Sequence, residues 1–90
     1  MNIEGKVAVI TGGASGLGRA TAEKIIAKGG KVAVLDLNKD LAEQTASELG
    51  EAKAYEVNVT DDTSVVAAIE SVKNDFGTIH INVNCAGIGA

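Results

Sequence analysis

Residues 6–18 read Lys6-Val7-Ala8-Val9-Ile10-Thr11-Gly12-Gly13-Ala14-Ser15-Gly16-Leu17-Gly18. The first half is a nearly continuous apolar run rich in β-branched residues, as a strand covered on both faces requires. The second half places four glycines within residues 12–18, more than a tight turn needs. A helical period then runs from about Leu17 to Lys28 and stops at Gly29-Gly30. Strand, glycine turn and helix in that order are the first unit of a parallel α/β sheet.

Outward from this stretch the unit recurs. Lys31-Val32-Ala33-Val34-Leu35-Asp36 repeats the first strand almost letter for letter. Asn38 can cap a second helix, in which Leu41, Thr45 and Leu49 share a face with Ala42 and Ala46, and Gly50 closes it. Lys53 to Val59 reads as a third strand. Thr60 or Asp61 caps a third helix, whose Val65, Ile69, Val72 and Phe76 form one stripe ending at Gly77. Ile79 to Cys85 reads as a fourth strand, and the last five residues as loop. Strands that alternate with helices over short connections pair in parallel through crossovers. The pattern predicts an α/β fold: a Rossmann-type parallel sheet, β-α-β-α-β-α-β with strand order 3-2-1-4, the N-terminal half of a doubly wound domain filling residues 1–90.

Composition narrows the function. The 90 residues are 46% apolar and 22% charged, which suits a globular chain rather than a disordered one. A net charge of -4 argues against a nucleic-acid or anionic-membrane surface, either of which needs a basic patch. One cysteine, Cys85, forms no internal disulfide, and Cys85 with the lone His80 falls short of a conventional metal site. No apolar run approaches the ~20 residues of a membrane span, and the N-terminus has no signal-peptide core. A cytoplasmic or other reducing intracellular location is expected.

The glycine turn is the chemical signal. Where a parallel strand turns into a helix, unpaired N–H groups and the helix dipole favour an anion. Glycines permit positive φ and let a pyrophosphate approach the backbone without meeting a Cβ. Gly18, in the first helical turn, also lets the helix pack closely. The motif Gly-x-Gly-x-x-Gly fails as written, because Thr21 stands where the third glycine belongs. A phosphate-binding P-loop nearly fits Gly13 to Gly18, but Arg19 replaces its lysine and Ala20 its metal-binding hydroxyl. Asp36 ends the second strand, 18 residues after Gly18. A carboxylate there can accept both hydroxyls of an adenosine ribose and would repel a 2′-phosphate, favouring NAD over NADP. It can equally serve as a cap shared with Asn38.

Thr11-Gly12 with Gly16 and Gly18 matches Thr-Gly-x-x-x-Gly-x-Gly at each specified position, and Asn84-Cys85-Ala86-Gly87 matches Asn-Asn-Ala-Gly except at Cys85. On these two motifs the chain resembles the short-chain dehydrogenase/reductase family along nearly its whole length. The Gly12–Gly18 text, Asp36 and the Asn-Cys-Ala-Gly variant are most similar to its type 2 3-hydroxyacyl-CoA dehydrogenase branch. The resemblance implies NAD as cofactor. Gly12, Gly16 and Gly18 would shape the phosphate turn, with Ser15 and the Leu17 backbone holding the pyrophosphate or its ribose. Asp36 would hold the adenosine ribose, and Asn58 and Val59 the adenine, Asn58 accepting from its amino group. Cys85, Ala86 and Gly87 would line the nicotinamide side, Cys85 by packing and backbone contact rather than redox chemistry.

The family's reaction uses a serine, a tyrosine and a lysine four residues beyond the tyrosine. Here the single tyrosine is Tyr55, and four residues on stands Val59. The resemblance therefore implies the NAD(H)-binding N-terminal portion of an oxidoreductase acting on a secondary alcohol or ketone, inactive alone. Other readings are a non-catalytic nucleotide-binding or interaction module, and a truncated product. A fourth strand at the sheet edge would need covering by the rest of the enzyme or by self-association. Asn82, mid-strand, needs a hydrogen-bond partner or an open face. His80 reads as exposed.

Overall fold

Four strands and three helices alternate along residues 2–85, which a computed structural model describes. They are β1 (Val7–Thr11), α1 (Gly16–Ala27), β2 (Lys31–Asp36), α2 (Lys39–Leu49), β3 (Ala52–Glu56), α3 (Asp62–Phe76) and β4 (Ile81–Asn84). The sheet is parallel throughout, in the order β3-β2-β1-β4. This is the order expected from parallel strands joined by short right-handed crossovers in half of a doubly wound sheet, and the two inner strands, β1 and β2, are the ones buried on both faces.

Alternation along those two strands divides the core. Ala8, Ile10, Val32 and Val34 pack with Ala22 and Ile25 of α1 and Ala42 and Ala46 of α2. Val7, Val9, Ala33 and Leu35 face the other way and meet Ala68 and Val72 of α3. Full burial of a Val, Leu or Ile side chain contributes ~1.5–3 kcal/mol, so β1 and β2 carry much of the hydrophobic stabilisation. Helix starts are fixed locally. Asn38 Oδ1 accepts from the Leu41 N–H, and Asp61 Oδ1 from the Thr63 and Ser64 N–H groups.

Several boundaries differ from those the sequence suggests. β3 ends at Glu56 rather than Val59. The Val57 N–H still reaches the Asp36 carbonyl, but Asn58 Oδ1 then takes both the Thr60 N–H and its hydroxyl, turning the chain out of the ladder. β4 begins at Ile81 rather than Ile79, whose side chain packs against the α3-side core. On α2 the buried face is Ala42, Thr45 and Ala46, while Leu41 is 41% exposed. Small residues let that helix lie close to the sheet. Asn82 is exposed, on an open part of the α3 face. Among the described residues no helix is long and apolar enough to cross a membrane.

Candidate functional site

The C-terminal ends of all four strands lie along one sheet edge, as parallel pairing dictates, and the expected site residues that are described lie there. At the end of β1, Gly12 turns the chain at φ 70, a conformation costly for any residue with a Cβ. The Gly12 and Gly13 N–H groups donate to the Leu35 carbonyl at 2.7 and 3.3 Å, tying the turn to β2. Gly18 lies so close under this turn that a Cβ would run into the Gly12 carbonyl oxygen and lie 2.8 Å from Gly13 Cα. Around Gly16, by contrast, a Cβ would meet nothing within 4 Å.

Ser15 is the N-cap of α1. Its hydroxyl donates to the Gly12 carbonyl at 2.6 Å and accepts from the Gly18 N–H at 3.2 Å. Donation from Ser15 to a phosphate would require that proton to leave Gly12. The Arg19 N–H makes the first intrahelical bond, to the Ser15 carbonyl. The Gly16 and Leu17 N–H groups precede it, so helix geometry leaves them to a ligand or water.

A cleft of about 260 Å³ opens beside the turn, lined by Gly12, Asp36, Leu37, Asn58, Val59 and Thr60 among others. Asp36, at the tip of β2, is held by two backbone donors. Oδ2 accepts from the Ala14 N–H at 3.2 Å and Oδ1 from the Asn38 N–H at 3.1 Å. The capping reading thus resolves into two residues: Asn38 caps α2, and Asp36 orients both Asn38 and the glycine turn. Remaining carboxylate lone pairs can accept vicinal hydroxyls. Across the cleft, Thr60 already occupies the Asn58 oxygen, so the part of that amide left to a ligand is its –NH₂. This corrects the expectation of an acceptor there.

Cys85 follows β4 on the same edge, buried in the core shared with α1, and its N–H donates to the Thr11 carbonyl at 2.8 Å. The Thr11 hydroxyl donates to Asn84 Oδ1 at 2.9 Å, joining the two motif segments side by side. The assigned Ala86 and Gly87 lie outside the described residues. The structure thus brings Gly12, Asp36, Asn58 and Val59 to one cleft and Ser15 to Gly18 to the adjoining helix start. Leu37 was not singled out from the sequence, yet it stands 68% exposed on the cleft rim. An apolar residue in an otherwise polar turn was the available signal.

These residues fit a dinucleotide. The helix start offers N–H groups beside an open Gly16, Asp36 offers a fixed carboxylate, and Leu37 and Val59 offer apolar surface for a base.

A family model described as short chain dehydrogenase matches residues 6–90. The 3-hydroxyacyl-CoA dehydrogenase type-2 of Homo sapiens is 43% identical over 88 residues, covering 97% of this chain and 34% of that protein. FabG of Salmonella typhimurium, a 3-oxoacyl-[acyl-carrier-protein] reductase, is 39% identical over 89 residues, 98% of this chain and 36% of that protein. The chain spans about a third of the length of these relatives. Among solved structures, the 3-ketoacyl-(acyl-carrier-protein) reductase of Brucella melitensis complexed with NADH superposes with a TM-score of 0.86 at 37% identity, covering 89% of this chain and 33% of that one. An NAD+-bound xylitol dehydrogenase gives a TM-score of 0.84 at 34% identity, with 91% and 33% covered.

Proposed function

The chain belongs to the short-chain dehydrogenase family, and from that premise we propose that it binds NAD(H) along the C-terminal edge of its sheet. The observation that carries this is the Asp36 carboxylate, oriented by two backbone N–H groups at the rim of a cleft continuous with the glycine turn. On this reading the Gly16 and Leu17 N–H groups receive the pyrophosphate at the positive end of α1. Asp36 accepts the adenosine ribose hydroxyls and repels a 2′-phosphate. Leu37 and Val59 flank the adenine, with Asn58 donating to a ring nitrogen. Cys85, Ala86 and Gly87 border the nicotinamide.

Bound there, the cofactor supplies or accepts hydride. The complete reaction is hydride transfer between NAD and a secondary alcohol or ketone, with a 3-hydroxyacyl-CoA as the candidate substrate. The serine, tyrosine and lysine that would move the proton are not assigned within these 90 residues, since Tyr55 lies in β3 and has no lysine four residues on. A second reading is a nucleotide-binding module without catalysis. A hydride-transfer assay on a chain extended by the family's catalytic segment separates the two. The same proposal gives the outer edge of β4 a cover, either the remainder of the enzyme or a second copy, and places the free thiol of Cys85 in a reducing compartment such as the cytoplasm.

The test is fluorescence titration with NADH and NADPH. Asp36→Ala is expected to weaken NADH about tenfold, a loss typical of hydrogen bonds to a charged group, and to weaken NADPH less. Equal loss for both cofactors would remove the ribose role.

A further inference from the structure

At the sheet end opposite the cleft, a side chain completes a backbone ladder. The Val7 carbonyl, at the start of β1, accepts the His80 N–H at 2.9 Å. The Val7 N–H donates in turn to His80 Nδ1 at 3.0 Å, an imidazole nitrogen standing where a strand carbonyl would ordinarily be. A backbone N–H can only donate, so the nitrogen facing it carries a lone pair and the ring proton sits on Nε2. Val7 is 3% exposed, which leaves water little room to replace that acceptor. The His80 residue itself is exposed and open to protons from solvent.

We propose that His80 is a pH-sensitive latch that ties the base of β4 to β1, closed as neutral imidazole and opened as imidazolium. Protonation puts an N–H on Nδ1, so donor faces donor and the buried Val7 N–H is left without its acceptor. The β1–β4 ladder is short, running from Ala8 opposite Ile81 to Thr11 opposite Asn84. Its upper end, at Asn84, lies at the functional edge and is held separately by the Cys85 N–H on the Thr11 carbonyl. The charged groups on the elements packed there are Lys6 beside Val7, Lys31 opposite Val7 on β2, and Lys73 and Asp75 near the end of α3. The lysines offer an imidazolium no acceptor. Asp75 accepts from the Tyr55 hydroxyl at 2.7 Å, and among the described residues no ion pair involves His80.

Amide hydrogen exchange at Val7 and along β4, followed by NMR from about pH 8 to about pH 5 and corrected for intrinsic rates, tests the latch. Val7 protection is expected to fall about tenfold on acidification, the loss of one buried hydrogen bond. His80→Asn, whose side-chain oxygen accepts at any pH, is expected to keep its protection flat. Protection that is pH-independent in the native chain, or that falls equally in H80N, overturns the proposal. Should H80N not fold, the ring-nitrogen NMR shifts of native His80 decide instead. A proton on Nε2 with a hydrogen-bonded, unprotonated Nδ1 near pH ~8 supports the latch, and a proton on Nδ1 overturns it.

Discussion

Gly16 and Gly18 stand two positions apart and ask opposite things of a missing side chain. At Gly18 a methyl would be driven into the backbone of Gly12 and Gly13, so helix and turn must separate. Gly18→Ala is expected to destabilise the fold by about 1–3 kcal/mol, as overpacking does, and to weaken NADH binding with it. At Gly16 a methyl would project into open space. Gly16→Ala is expected to unfold within about 0.5 kcal/mol of the native chain yet still bind NADH more weakly, because the methyl blocks the approach of a phosphate. Urea denaturation beside NADH titration checks both, and equal stability loss in the two variants would refute the distinction. The sequence already marks Gly18, in the first helical turn, as the glycine of close packing; that Gly16 faces open space is not legible there, since it depends on what lies across the turn. Ser15, Asp36 and Asn58 carry the same lesson. Their chemical types are legible in the sequence. That Ser15 donates to Gly12, that Asp36 takes two N–H groups and that the Asn58 oxygen is occupied by Thr60 are not, because each partner is set by how the turns close.

Between elements, one contact can be read with unusual clarity. The Tyr55 hydroxyl on β3 donates to Asp75 Oδ2 near the end of α3 at 2.7 Å. Burial, with the Asp75 hydrogen bond and charge adding to it, pushes this phenol well above its usual range. The raised value means that the folded chain favours the protonated phenol. The stability it contributes is fully present below the unfolded pKa of ~10 and is lost as pH rises further toward the folded value. Tyr55 is the only tyrosine in the chain, so phenolate absorbance reports on it alone. The folded chain is expected to ionise at higher pH than the urea-unfolded chain, and Tyr55→Phe to remove this part of the alkaline stability loss. Coincident titrations of folded and unfolded chains would dismiss the contact's contribution. Element type and order were legible throughout, and element faces less so. A helical period places Leu41 beside Ala42 and Ala46 equally well, and only the closeness of α2 to the sheet decides that the alanines go inward. The end of β3 was obscured because Val57 and Val59 continue the apolar alternation across the point, at Asn58, where the chain turns away.

For the molecule as a whole, the strand order followed from the alternation of strands and helices over short crossovers. What did not follow is the state of β4, whose Asn82 and Asn84 lie on the open side of the sheet. β4 is also an edge, with β1 its one strand neighbour among the described residues, and such edges invite pairing. The isolated 90-residue chain is expected to sediment well above its 9.1 kDa monomer mass at tens of micromolar. A monodisperse monomer would count against a second copy as the cover. The order of the strands also bears on how the chain is made. β1 emerges from the ribosome before the other three strands and sits in the interior of the sheet, yet its partner His80 follows Val7 by 73 residues. Loop-closure entropy favours the nearer β2, so β1 gains that neighbour early and waits on its other side. Until β4 has been made, the nascent chain therefore carries a bare, apolar strand edge, the kind of surface that a chaperone recognises.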